Sequence, residues 1–261
     1  MRKNLAIAKA EWLDAIQSYQ EVILWIIIQS VPILVMGVLW SSSQSYFSVT
    51  QISYLVSYYV LIFVIDRLTS FYFEQNMQDQ IREGTFSRYL LKPISVQKYL
   101  LWDNIGGKCF NTLFLLLPIL GIISIIFSGH LISPGSLNFG LFLASLSSAF
   151  FIQFSLALLV TSGAFFIEQA FAINHLHWML DAVAGGYMLP ITFYPQFLQK
   201  LFGLLPFSYV YYVPASIYTG QFSAPLALQK IGFSVAWAVS LYFLSLIIWR
   251  IGIKKYSSVG G

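Results

Sequence analysis

The sequence predicts an all-α integral membrane protein with six transmembrane helices, and three observations carry that expectation. Of 261 residues, 58% are hydrophobic and only 9% charged, against roughly a quarter charged in a soluble domain; the mean hydropathy is +0.74. The apolar residues fall in blocks of about 18 to 25, the length that crosses ~30 Å of hydrocarbon. Of the 14 Lys and Arg, twelve gather on the side of alternate loops, leaving Lys200 and Lys230, as the cytoplasmic side of membrane proteins does. Other classes are excluded by the same numbers. A single cysteine, Cys109, forms no internal disulfide. The net charge of +4 reflects loop placement rather than a basic face, so nucleic acid is not an expected partner. The first apolar run is too long for a signal core and has no small-residue cleavage site after it, so it is expected to stay in the mature chain.

Taken in order, residues 1–21 read as an amphipathic helix in the inner interface rather than a plain polar leader, because Leu5, Ala8, Trp12, Ile16 and Tyr19 recur at three- and four-residue steps. The first span is Val22 to Trp40 and the second Ile52 to about Phe73, with Asp66 and Arg67 near its end. That second helix is expected to run on through Gln80 to Gly84, which has the character of a terminating glycine. Thr85 then caps a short helix, Phe86 to Leu91, which presents Phe86, Tyr89 and Leu90 on one face and stops at Lys92-Pro93. Composition alone reads this piece either as a docking element or as a loop helix lying on lipid. The third span is Phe110 to Phe127 and the fourth Phe139 to Ile167, whose Ala144, Ser148 and Ser155 suit close helix packing. A fifth, weak span covers Ala170 to Leu189, and a sixth Ile231 to Trp249.

Cation placement sets the orientation. Arg2, Lys3 and Lys9 precede the first span, Arg82, Arg88, Lys92, Lys98 and Lys108 lie between the second and third, and Arg250, Lys254 and Lys255 follow the sixth. The loops at 41–51 and 128–138 hold none. Both termini and the 74–108 segment are therefore expected in the cytoplasm of a multi-pass cell-membrane protein. Residues 190–225 are cut by Pro190, Pro195, Pro206, Pro214 and Pro225. Gln196 to Leu205 covers only about 15 Å as a helix, and a full crossing would put the Lys254-Lys255 tail outside. The segment is read as a re-entrant helical hairpin on the outer face, before the last span.

Ionisable groups at membrane depth are functional candidates. Asp66 and Arg67 read first as an ion pair, with Glu168 a partner for Arg67 and Asp66 a candidate inner gate. Asp181, Tyr58 and Tyr187 are candidates for a pathway that accepts amphipathic molecules. His175, His177 and Asp181 raise a competing reading, an intramembrane metal-dependent enzyme. Only His177 and Asp181, four apart, share a helix face, while His175 points about 200° away. No metal site and no catalytic residue are expected.

The run Ile81-Arg82-Glu83-Gly84-Thr85-Phe86-Ser87-Arg88-Tyr89-Leu90-Leu91-Lys92-Pro93-Ile94 resembles the first cytoplasmic loop of type-2 ABC exporter permeases. Met188-Leu189-Pro190, Tyr194-Pro195-Gln196-Phe197-Leu198, Leu204-Leu205-Pro206-Phe207, Pro214 and Ile217-Tyr218-Thr219-Gly220 are similar to that family's outer hairpin. The tail from Trp249 to Gly261 resembles the ending of its small branch of about 260 residues. Gly185-Gly186 departs from it, since many relatives carry Ser-Gly there. The resemblance covers the whole chain as one transmembrane permease domain. It implies a coupling helix containing Gly84, Phe86, Arg88, Tyr89, Leu90, Leu91 and Pro93, an elbow helix within residues 1–21, and a hairpin marked by Pro190, Pro195, Pro206, Phe207 and Pro214. It further implies an exporter subunit moving an amphipathic or hydrophobic substrate by alternating access, paired with an identical or homologous permease among membrane lipids. Two separate ABC ATP-binding subunits would hold the ATP and magnesium, leaving this chain without a cofactor. Independently, the only Gly-Lys pair, Gly107-Lys108, has Trp102 where a phosphate-binding loop needs its first glycine and Cys109 where it needs a hydroxyl. No ATP hydrolysis is expected of this chain by itself.

Overall fold

The computed structural model describes residues 6–10, 12–13, 24, 28, 31–32, 34–40, 42, 47–167 and 171–256. Most of the first expected span, much of the N-terminal segment, Glu168 and the tail after Tyr256 lie outside the described residues. Residues 6–10 and 34–40 are helical. The former lie against the 96–126 helix at Gly106, where a Cβ would run into the Ala8 backbone. Trp12 meets Phe110 edge-on at 5.7 Å.

Helix α1 (Val49–Thr69) starts three residues before the expected span because Ser48 and Gln51 form a capping box. It does not run on to Gln80. Ser70 is extended, residues 70–73 are unwound, and a separate helix α2 (Glu74–Arg82) follows. The cause is local competition for hydrogen bonds. The Ser70 hydroxyl turns to the Asp66 carboxylate at 2.6 Å, and the Lys108 ammonium takes the carbonyl of Ser70. Phe71 and Phe73 then bury their rings beside Phe154, at 5.2 and 6.4 Å.

Past α2, Gly84 takes a positive φ of 77°, as expected for a terminating glycine. The short helix α3 (Ser87–Leu90) is not capped by Thr85, whose hydroxyl donates back to the Gln80 carbonyl at 3.4 Å. Helix α4 (Val96–Asn111) begins well before the expected third span and continues through a π-helical turn at Thr112–Leu116 into α5 (Leu117–Ile126). Pro118 cannot donate to the ladder, and the turn absorbs that loss by directing the Leu117 amide to the Thr112 carbonyl.

Helix α6 (Ser136–Ser162) ends in a 3-10 turn, Gly163–Phe165. Its small-residue seam is Ser145, Ser148, Ala149 and Ser155, all buried, whereas Ala144 is exposed. Ser148 shares a hydrogen bond of 2.6 Å with Ser234 of α10 (Ala224–Lys255), the helix that packs most extensively on α6. These two helices run parallel. Tyr218 and Gly220, just before α10, lie at the α6 start against Phe142 and Asn138, while Phe165, just after α6, lies against Gly252 near the α10 end.

A return path must therefore run between them. It consists of α7 (Phe171–Val183), a turn at 184–190, and short pieces at Ile191–Phe193, α8 (Gln196–Phe202), Pro206–Tyr209 and α9 (Tyr212–Tyr218). With 13 residues, α7 is only about 20 Å long, too short to be the expected span to Leu189. Among the described residues, four helical stretches are long and apolar enough to cross a membrane: Val49–Arg82, Val96–Ile126, Ser136–Phe165 and Ala224–Lys255. No strand occurs among them.

The turn after α7 depends on Gly186, at φ 83°, where a Cβ would also press on the Tyr58 hydroxyl. Gly186→Ala should destabilise the protein by about 1–3 kcal/mol, read as a lowered thermal midpoint in detergent. Gly232→Ala, on α10 with open space around the new methyl, should be neutral or stabilise by about 0.5–1 kcal/mol.

Candidate functional site

Four residues separate Asp66 from Ser70, so both face the same side of the last α1 turn, where the helix gives way. Asp66 is buried and accepts from Arg67 (Nε 3.1 Å, Nη2 2.5 Å), Ser70 (2.6 Å), Tyr211 (3.2 Å) and Tyr72 (3.3 Å). Arg67 also donates to the Tyr72 hydroxyl at 2.7 Å and lies over the Phe63 and Tyr72 rings. The expected Asp66–Arg67 pair is present, and its further partners are tyrosines and a serine.

The network extends across the molecule. Gln153 of α6 donates to the Tyr211 hydroxyl at 3.2 Å and to Asp181 Oδ2 at 2.8 Å. His177 stands between two carboxylates, Nε2 at 3.6 Å from Asp181 Oδ2 and Nδ1 at 3.7 Å from Glu74 Oε1. One turn on, Gln78 and Asn174 exchange amide hydrogen bonds at 2.9 and 2.8 Å, and Gln78 also donates to the Val160 carbonyl. These contacts tie α2, α6 and α7 around a cavity of about 390 Å³. Asp66, Arg67, Glu74, His177, Asp181 and Tyr211 supply its polar wall, and Tyr72, Trp178 and Tyr187 its aromatic one.

Of the pathway candidates, Asp66, Arg67, Asp181 and Tyr187 line this cavity, and Tyr58 does not. Tyr58 is fully buried and donates to the Gly186 carbonyl at 2.7 Å, so it clamps the turn after α7 rather than facing a path. His175 is exposed and is not part of the cavity wall. Among the described residues no three His, Cys, Asp or Glu are placed to hold a metal ion, and the metal-enzyme reading has no support. Gln153, Glu74, Ser70, Tyr72 and Tyr211 were missed by the sequence. The one available signal was Gln153, a large amide in the middle of a 27-residue helix whose other mid-helix polar residues are small serines.

At the far end of α2, the expected docking face needs a correction. Phe86 is 0% exposed, caged by Tyr89, Phe165, Trp249 and Tyr256 at ring distances of 5.4 to 6.1 Å. It is a core residue, because a bare phenyl beside the exposed α10 end gains more from this cage than from water. The solvent-facing side chains are Arg88, Leu90, Leu91 and Pro93, with Leu91 86% exposed. Tyr89 is half-buried and shares Lys92 with Tyr99, the ammonium lying 4.6 and 3.6 Å from the two ring centres. Partial burial there pushes the Lys92 ammonium below its usual value, against the opposing pull of Asp103. In the return path, Pro190, Pro206, Phe207 and Pro214 are buried and Pro195 is exposed.

Residues 26–260 match the sequence model of the ABC-2 family transporter proteins. The chain belongs to this family. Comparison with curated proteins gave no match. As an ABC-2 family member it is a multi-pass membrane subunit of an ABC transporter, a transport component that is not itself an ATPase and that works with ABC ATP-binding subunits.

Asp66→Asn should destabilise the protein by about 3 kcal/mol, because it leaves the Arg67 guanidinium without its counter-charge. Asp66→Asn combined with Arg67→Gln should recover part of that loss, and thermal unfolding of the three proteins in one detergent measures both effects.

Proposed function

We propose that this chain is the permease subunit of an ATP-driven exporter that moves an amphipathic or hydrophobic substrate outward by alternating access. The supporting observation is the polar, aromatic-rimmed cavity of about 390 Å³ and its direct line to an exposed loop. Nine-residue α2 carries Glu74 and Gln78 in or beside the cavity wall at one end and leads into Gly84 and Arg88 at the other. A load applied to Arg88, Leu90, Leu91 and Pro93 by a motor chain moves α2 as a rod and so displaces the cavity wall. The Phe86 cage passes the same load to α6 and α10.

Two ATP-binding chains supply the force and hold ATP and magnesium, and a second permease, identical or homologous, completes the pathway. The 84–95 loop and both termini face the cytoplasm. In support, Tyr256 donates to the Gly84 carbonyl at 2.6 Å, so the cation-rich loop and the Lys254-Lys255 end of α10 lie together. The proline-cut return path, with Pro190, Pro206, Phe207 and Pro214 buried against the other helices, acts as a re-entrant outer hairpin that releases substrate.

The complete complex should lose both ATPase co-purification and substrate-stimulated hydrolysis when Arg88→Glu is combined with Leu91→Glu, with an unchanged thermal midpoint because both side chains are exposed. Phe86→Ala should instead lower the midpoint by roughly 10 °C. Substrate movement by this chain with no ATPase partner present would sink the reading.

A further inference from the structure

The charges around the cavity do not cancel one another. Asp66 and Arg67 form a closed pair, with Ser70, Tyr72 and Tyr211 completing the carboxylate's hydrogen bonds. Lys108 turns its ammonium to the backbone carbonyls of Ser70 and Arg67 and is not part of the wall. That leaves Glu74 and Asp181, two carboxylates flanking one imidazole at 3.7 and 3.6 Å. Both separations exceed a hydrogen bond, and a neutral histidine has a single N–H, so the ring satisfies at most one of them. With both carboxylates ionised, even a protonated ring leaves one negative charge over, which only a cation or proton uptake by a carboxyl removes. Asp181 Oδ1 and His177 Nε2 are both buried without a hydrogen-bond partner.

Buried charge is costly unless it is paired and hydrogen-bonded. What this wall lacks is a positive charge carrying N–H donors. The aromatic lining suits the rest of such a molecule: Trp178 and Tyr72 are 62% and 64% exposed, Tyr187 is 37% exposed, and ring faces of this kind attract cations and cover apolar surface. A cavity of about 390 Å³ has the size of a small-molecule site.

We propose that this cavity binds the cationic head of an amphiphile, a protonated amine or guanidinium that donates a hydrogen bond to Asp181 in the negative field of the nearby Glu74, while its apolar body lies against Trp178 and Tyr187. This names the substrate class of the export reading above and rests on it. His177 between the two carboxylates keeps them apart, so the head group hydrogen-bonds to Asp181 and feels Glu74 through its charge. Gln153 fixes Asp181 in place through Oδ2, which leaves Oδ1 for the ligand.

The test uses the full chain in lipid nanodiscs and three probes with one phenylbutyl body: 4-phenylbutylammonium, 4-phenylbutanol and 4-phenylbutyrate. Binding is read from tryptophan fluorescence, with partition into empty discs subtracted. The ammonium should bind about tenfold tighter than the alcohol, the margin expected of a charge-assisted hydrogen bond, and the carboxylate should bind more weakly than both. Asp181→Asn, which retains an acceptor for Gln153, should bring ammonium and alcohol within about twofold while leaving alcohol binding intact. If that variant does not fold, Glu74→Gln supplies the same comparison and should cut the ammonium preference. Equal binding of the three probes, or an ammonium preference that survives both substitutions, overturns the site. Neither result touches the export reading, which the Arg88 and Leu91 variants test separately through the ATPase.

Discussion

In hydrocarbon every backbone donor and acceptor must be answered from within the protein, and this chain meets that constraint at its most demanding point where α1 unwinds at Ser70. The Ser70 amide still reaches the Asp66 carbonyl at 2.9 Å, its hydroxyl reaches the Asp66 carboxylate, and Lys108 covers the carbonyls that the lost turn exposes. Because these groups are satisfied, residues 70–73 can leave the helix, and α2 starts as a separate helix at Glu74. Ser70, Phe71 and Tyr72 of the unwound stretch line the cavity. The same carboxylate gathers Arg67, Tyr72 and Tyr211, so one side chain holds both the break in the backbone and part of the cavity wall beside it.

A second constraint acts at the opposite end of α2. Phe86 is locked among rings from the end of α6 and from α10, and Tyr256 closes the lock with two hydrogen bonds, donating to the Gly84 carbonyl and accepting from the Ser87 amide. Aromatic pairs of this kind contribute about 0.5–1.5 kcal/mol each beyond their burial. The loop is therefore joined stiffly to the bundle, and only its outer face, Arg88 through Pro93, is free to meet a partner. Phe86 belongs to the same buried cluster as Met77 and Ile81 of α2, Phe154 of α6 and Trp249 of α10.

How much of this was legible depended on the range of the interaction. Gly84 as a helix terminator, the proline-cut return path and the Asp66–Arg67 pair were readable because each rests on residues close in sequence. The break at Ser70 was not, since Ile52 to Phe73 reads as one apolar run and the group that stabilises the break, Lys108, lies 38 residues away. Phe86 looked like an outward knob because the residues that bury it belong to Phe165, Trp249 and Tyr256. Tyr58 was one of 16 tyrosines with nothing local to mark it as the clamp on Gly186. Tyr211 was equally anonymous, although it bridges Asp66 and Gln153 across 145 and 58 positions of chain.

By itself the sequence determined the solvent and the family. Scarcity of charge and the length of its apolar blocks require a bilayer, and the order of its glycine, proline and aromatic punctuation is that of an ABC permease, a likeness that the family match over residues 26–260 bears out. Those properties are sums and periods along the chain, so they survive without a fold. Only the tertiary structure decided where the few polar groups meet. Hydrocarbon offers them no water, so each must find a partner from another helix, and that partner is chosen by packing rather than by spacing along the chain. Glu74, Gln153, His177, Asp181 and Tyr211 come from four separate segments, and the unwound residues between α1 and α2 complete the lining of the cavity they form.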